Sequence, residues 1–331
     1  MYSDRKPLYA ELEKARKSRV LVYITGDRRQ METQIHSEVM DHFLHHLDAL
    51  GDTERLSLFL YTRGGETLAA WSLVNMIRQF CKHLEVIVPF KAHSAGTLMC
   101  LAANTIVMTK QATLGPIDPS VNTPLNPQII GAPPQARVPV SVEDVNGFIE
   151  FAKETLDGGQ LHTAFQALAG SVHPLVLGNA YRARGQIRML AKKLMGDRFP
   201  DETTAKKILE FLCSESGSHD YTINRREAGE QLGLPIEKPN DELYRLLKRI
   251  YDDLAAELEL ATPYDPNVLL GAQATVNYSA VRGIVESAVG GSHAFTSEGR
   301  LARQQVQVQP GLMQSAIRDD RTFEGWRHRN A

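Results

Sequence analysis

Apolar residues fall in short blocks along the first third of the chain, and the period of each block predicts an element. Residues 20–25 (VLVYIT) form an unbroken apolar run and predict a buried strand. Over residues 33–50, Ile35, Val39, Phe43, Leu47 and Leu50 recur at helical spacing. Residues 55–62 (RLSLFLYT) predict a second strand, and from Glu66 the i, i+3, i+4, i+7 series Ala70, Leu73, Val74, Ile77 predicts a helix with one buried stripe. A strand over 85–90, a short apolar helix over 97–103 and a strand over 105–108 follow. Strands and helices alternating at this period imply βαβ units and a largely parallel sheet.

The pattern then changes. Residues 120–139 are rich in Pro, Asn, Gly and Gln without periodicity, which predicts a long loop of the kind that carries function. Helical pattern resumes at Ser141, where Ser141 and Asp144 read as an N-cap and an acidic first turn. Further helices are predicted over 174–195, around Ala205–Leu212 and over 241–260, the last with Leu243, Leu246, Leu247, Ile250, Leu254 and Leu258 on one side. Residues 275–303 alternate β-like runs around Gly290-Gly291 and predict a hairpin, and the polar stretch from Gln304 is expected to be poorly ordered.

At 331 residues, with 43% hydrophobic and 23% charged residues, the chain can hold one large domain with an appendage. A net charge of −2 argues against nucleic acid as the main partner. Cys81, Cys100 and Cys213 are scattered without metal-ligand spacing and read as reduced thiols of a cytoplasmic protein. Residues 1–18 are charged throughout, with no signal-peptide core, and no apolar run reaches the length of a membrane span. His42, His45 and His46 share one predicted helix; a wet helix face is read ahead of a metal site, so no metal and no cofactor are expected.

Two strand-to-helix corners carry the chemistry. One strand ends in Thr62-Arg63-Gly64-Gly65, the other in Ala92-His93-Ser94-Ala95-Gly96. A Gly-Gly corner turns backbone N–H groups toward a developing oxyanion, and a serine between small residues presents a nucleophile at a helix N-terminus. Each corner also has a plain structural reading: a tight turn for Gly64-Gly65, a helix-capping hydroxyl for Ser94. Side by side, as ends of neighbouring parallel strands, they point to acyl transfer, with the N–H groups of Gly64, Gly65 and Ala95 as oxyanion donors. His93, adjacent to the serine in an extended segment, faces the wrong way to act as its base.

These residues resemble a known group. Tyr61-Thr62-Arg63-Gly64-Gly65-Glu66 is similar to the Pro-Gly-Gly corner of the Clp-protease/crotonase superfamily, and residues 88–97 (VPFKAHSAGT) to its nucleophile segment. With residues 101–108 (LAANTIVM), 113–119 (TLGPIDP), 218–223 (SHDYTI), Glu227-Ala228 and 232–235 (LGLP), they resemble the serine dehydrogenase proteinase family, relatives of signal peptide peptidase A and of the Clp proteolytic subunit. The resemblance covers roughly residues 20–239. Arg63 stands where the family has Pro, Ala95 stands where Gly is common, and residues 1–18 show nothing of the N-terminal membrane anchor that many members carry.

The resemblance implies an α/β ClpP/crotonase-like core of stacked parallel βαβ units over residues 1–240, with residues 241–331 as a helical and hairpin extension. It implies a serine peptidase acting on peptide or unfolded protein, assembled as a homo-oligomer in the cytoplasm. For the general base it offers His219, oriented by Asp118 or Asp220, with Lys153 as the alternative; Arg182 and Arg184 stay protonated and are poor bases. A catalytically silent peptide-binding scaffold and a crotonase-type acyl-CoA enzyme remain open beside the peptidase.

Overall fold

The computed structural model describes residues 1–117, 120–133, 135–199, 202–215, 218, 220–309 and 312–329. The chain packs as two compact units, one built from residues 1–113 and 235–331 and the other from residues 114–234.

The first unit opens with helix α1 (Tyr2–Arg16), in a segment whose sequence showed only its charge. Strand β1 (Arg19–Thr25), helix α2 (Met40–Leu50), β2 (Thr53–Tyr61), α3 (Thr67–Ile77), β3 (Cys81–Val88), the two-residue β4 (Lys91–Ala92), α4 (Ala95–Leu101) and β5 (Thr105–Met108) follow. Helix α2 starts later than the apolar spacing suggested. Ile35, counted on its stripe, is instead extended and bridges Gly65, because its backbone N–H and C=O are needed by the Gly-Gly corner.

The second unit, taken by itself, is helical. A short antiparallel pair, Ser120–Val121 with Val140–Ser141, closes the polar excursion, pinned by the buried Asn126 amide on the carbonyls of Val121 (2.7 Å) and Val138 (2.9 Å). Helix α5 (Val142–Thr155) is capped by the Ser141 hydroxyl, which accepts from the N–H groups of Glu143 and Asp144. Helices α6 (Leu161–Ser171), α7 (Pro174–Met195) and α8 (Glu202–Glu210) complete the unit. Its small core gathers Val121, Val140, Val142, Val176 and Ala180.

The chain then returns to the first unit through β6 (Ile236–Glu237), α9 (Asp241–Glu257), β7 (Thr275–Ser287), β8 (Gly291–Gln309) and β9 (Leu312–Arg329). The sheet runs β6-β5-β3-β2-β1-β7-β8-β9. It is parallel from β6 to β1, as the alternation of elements implied, and antiparallel from β1 outward. The hairpin around Gly290-Gly291 forms as β7 and β8. The polar stretch from Gln304, expected to lack order, instead continues β8 and returns as β9. Its side chains have no apolar alternation because the backbone ladder, not a buried face, holds much of that ribbon together.

One face of the sheet is covered by α9, whose buried Leu243, Leu246, Leu247, Ile250 and Leu254 meet Tyr9 and Leu12 of α1 over Val22, Ile24, Phe59 and Ile87. Each such side chain contributes about 1.5–3 kcal/mol by leaving water. Tyr23 turns to the opposite face, where Phe43 of α2 meets its ring edge-on at 4.9 Å. Among the described residues no helix is long and apolar enough to cross a membrane.

Two buried carboxylates interrupt this apolar sheet, and α1 answers both. Glu286 on β7, fully buried, takes both Arg5 Nε (3.0 Å) and Nη2 (2.6 Å), together with the hydroxyls of Tyr9 and Ser292. Arg5, itself fully buried, also reaches Asp253 and Glu257 on α9. At the other end of α1, Arg16 grips the buried Glu85 of β3 and Glu237 of β6, and Glu85 also accepts from Arg55 and Ser57. Burial pushes the Glu85 carboxyl up, but the Arg16 and Ser57 hydrogen bonds and the Arg16 charge outweigh it and hold it below its ordinary value.

Removing one partner of such a pair strands a charge in the core. Arg5→Met is therefore expected to lower the unfolding free energy by about 3–5 kcal/mol in urea denaturation at pH 7. A loss below about 1 kcal/mol would show that α1 is not held by this pair.

Candidate functional site

The site forms where β2 and β4 end. Beyond the sheet proper, Thr62 and Ala92 form an isolated parallel bridge: Thr62 N–H donates to Lys91 O (3.1 Å) and His93 N–H to Thr62 O (3.1 Å). This bridge sets the Gly-Gly corner directly beside the serine corner. Thr62 is buried and organises the turn, accepting on Oγ1 from Thr25 Oγ1 (2.6 Å) and from the Gly64 N–H (2.9 Å).

Gly64 and Gly65 have φ of 114° and 146°, open to glycine and strained for other residues. Space forbids a side chain as firmly as the dihedrals do. A Cβ on Gly64 would lie 2.7 Å from Ser94 Cβ and 3.2 Å from its Oγ; one on Gly65 would lie 2.3 Å from Ile35 O. Ile35 holds the far side of the corner, its N–H donating to Gly64 O (2.8 Å) and its O accepting from Glu66 N–H (2.8 Å). On the serine side, a Cβ on Gly96 would lie 2.4 Å from Thr62 Cγ2, so glycine lets α4 approach β2.

Ser94 sits at the N-terminus of α4 with φ 52° and ψ −118°, a strained conformation for a residue with a side chain. Its hydroxyl caps no helix N–H and bonds no described residue, and the side chain is half-buried. The backbone around it divides cleanly. Gly96 and Leu98 N–H groups bond back to His93 O (2.8 Å) and Ser94 O (3.1 Å). Among the described residues, the Gly65 and Ala95 N–H groups are accepted by nothing. The Gly64 N–H is committed to Thr62, so its glycine serves close approach to Ser94. His93 turns its Nε2 to Thr113 Oγ1 (2.9 Å), away from the serine hydroxyl.

Ser94, Gly64, Gly65 and Ala95 thus come together in the first unit. The residues named for proton transfer belong to the second. Lys153 is exposed on α5 and paired with Glu150 at 2.8 Å. Asp220 is exposed, its N–H bonded to Ser218 Oγ (3.2 Å). His219 and Asp118 lie outside the described residues. Arg182 is exposed beside Asn179, and Arg184 lies 3.7 Å from Glu143. Sequence reasoning missed Thr25, Thr62 and Ile35 as supports of the corner. The signal present was a threonine at the last position of each of two adjacent apolar runs.

A family model, that of the ClpP-like SDH-type serine proteinases, matches residues 2–146. Two curated relatives, both uncharacterized proteins of Methanocaldococcus jannaschii, are each 27% identical over 194 residues, or 58% of this chain. The match covers 57% and 56% of their lengths, so the chain spans somewhat more than half of these relatives. Similar solved structures include the membrane-bound stomatin-specific protease 1510-N in a serine-to-alanine variant (TM-score 0.35, 18% identity, 69% of this chain and 85% of that one). A lysine-to-alanine variant of it, in complex with a substrate peptide, gives a TM-score of 0.34 at 19% identity over 69% of this chain and 78% of that one. Residues 2–146, the stretch this model of ClpP-like, SDH-type serine proteinases matches, carry both corners of the site.

Proposed function

We propose that the protein hydrolyses peptide bonds through an acyl-enzyme on Ser94. The observation that carries this reading is a serine hydroxyl that caps nothing, held at positive φ beside two unpaired N–H groups, those of Gly65 and Ala95. In the reaction, Ser94 Oγ adds to the scissile carbonyl carbon while a general base takes the hydroxyl proton. The carbonyl oxygen gains negative charge and accepts from Gly65 and Ala95, aided by the positive end of α4. The C–N bond then breaks, the leaving amine takes the proton back from the base, and water repeats the sequence on the ester. We assign the base to His219 supported by Asp118 or Asp220, with Lys153 as the alternative.

The proposed substrate is an extended, unfolded stretch of protein, because the donors at the corner are backbone groups that read a main chain. The working form is taken to be a cytoplasmic homo-oligomer. Self-assembly is supported by α6, which buries none of its residues within one chain although Leu161, Phe165 and Leu168 recur along it.

Labelling with a fluorophosphonate, read by intact mass, tests the assignment. The wild type is expected to take one adduct and Ser94→Ala none. His219→Ala should label at least about 100-fold more slowly if His219 is the base, the usual weight of general-base assistance. Unchanged labelling of His219→Ala, with slowing in Lys153→Ala, would move the base to Lys153. No adduct on wild type would overturn the peptidase and leave a peptide-binding scaffold or an acyl-CoA enzyme.

Gly65→Ala perturbs the other half of the site. Its methyl would press on Ile35 O and turn the Gly65 N–H away, so labelling is expected to fall by about 100- to 1000-fold, as when an oxyanion donor is lost. A rate within about threefold of wild type would remove Gly65 from the oxyanion site.

A further inference from the structure

Five histidines that the proposed reaction does not use converge in the first unit, between α2 and the strands β7–β9. The expected solvated face of α2 does not form at His46, which is fully buried. Its Nδ1 lies 2.8 Å from Ser287 Oγ on β7, and its Nε2 lies 3.0 Å from His293 Nδ1 on β8. His45 Nε2 donates to Gly290 O (3.2 Å), at the β7–β8 turn. The His293 ring lies 4.8 Å from His42, 5.0 Å from His45 and 5.0 Å from His328, its cross-strand partner on β9. The turn is shaped around these rings: a Cβ on Gly290 would lie 2.3 Å from His46 Nδ1, and one on Gly291 would lie 3.0 Å from His328 Nε2. Among the described residues, no group of three or more His, Cys, Asp or Glu side chains is arranged to hold a metal ion.

We propose that this cluster is an acid-sensitive latch that holds the β7–β8–β9 ribbon against α2 at neutral pH and releases it on acidification. The geometry gives the reason. In the His46–His293 bond one nitrogen donates and the other accepts, so the pair can take up one proton and keep the bond. A second proton puts N–H against N–H and breaks it.

Compensating charge is sparse on every element around the pair. On the α2 side Asp41 and Glu38 act on His42, which is half-buried. On β7, Glu286 is committed to Arg5, and Arg282 is paired with Glu324 of β9. Glu324 is held as well by Arg321 and Ser297, and the ring beside His42 on β9 is the neutral Trp326.

Burial, then the neighbouring imidazoles, pushes His46 down to about 3 and His293 down to about 4, against about 6.5 for an unfolded histidine. Both folded values lie below the unfolded one, so unfolding takes up protons. The stabilisation is complete above about pH 6.5 and falls as pH drops toward 4, by up to about tenfold in the folding constant per histidine per pH unit. The arginine-paired Glu85 and Glu257, held below their ordinary range, add their own acid loss only as pH falls below about 4.5, so the two windows separate.

The test is urea unfolding of the full chain at pH 7 and pH 5. The wild-type folding constant is expected to fall at least about 100-fold between them, and that of His46→Gln/His293→Gln less than about tenfold. Hydrogen–deuterium exchange of wild type, corrected for intrinsic rates, should lose protection first in α2 and β7–β9. A wild-type fall below about tenfold, an equal fall in the double variant, or first loss of protection in α9 would each overturn the latch. If the double variant does not fold, the wild-type exchange pattern alone decides.

Discussion

Everything at the candidate site depends on two stretches of backbone approaching closer than side chains permit. The Thr62–Ala92 bridge draws the ends of β2 and β4 together; a methyl group on Gly64 or Gly96 would collide with the opposite corner, and one on Gly65 with the Ile35 backbone. Close approach has a chemical consequence. Among the described residues it leaves the N–H groups of Gly65 and Ala95 without internal acceptors. Unpaired donors at a half-buried place are costly unless something from outside accepts from them, and a developing oxyanion is such an acceptor.

The sheet beneath the corner is held by a different kind of bond. Its strands are apolar enough to be buried on both faces, yet Glu85 and Glu286 sit among them with no exposure. Apolar packing alone tolerates register shifts, whereas a buried carboxylate accepts one arrangement of donors. Arg16 and Arg5, eleven positions apart on α1, meet Glu85 on β3 and Glu286 on β7, so one helix spans the parallel and antiparallel parts of the sheet. The antiparallel strands are thereby part of the same framework as β1, whose last residue, Thr25, supplies the hydroxyl that steadies Thr62.

The parallel core was legible because each element has its own apolar period, and the two corners because glycine and serine interrupt runs that are otherwise apolar. Three features were not legible. Helix α1 has a mixed polar surface because its inward positions include arginine and tyrosine, which read as solvent-facing until their buried partners, more than 60 residues away in sequence, are known. Strand β9 carries charge on both faces because backbone pairing with β8 holds it, and the ion pairs Arg282–Glu324 and Arg327–Glu298 are cross-strand contacts without local spacing. Ile35 fitted a helical stripe by accident of spacing, and only the hydrogen-bonding needs of Gly64 and Glu66 put it in an extended segment.

The chain contains its own control for the reading of Ser94. Where a side chain only starts a helix here, it does so conventionally. Ser141 has φ −70° and ψ 139° and its hydroxyl accepts from two N–H groups; Asn240 has φ −67° and ψ 173° and accepts from Leu243. Ser94 occupies the equivalent position on α4 with φ 52°, and its hydroxyl accepts from none. A cap is stabilising by about 1 kcal/mol, while a strained dihedral costs about 1–3 kcal/mol, so a serine that forgoes the first and adopts the second is no structural convenience. The strain turns the hydroxyl out of the helix and leaves the Ala95 N–H unclaimed. Both suit a nucleophile with an adjacent oxyanion donor, and the uncapped hydroxyl is what separates Ser94 from a capping residue.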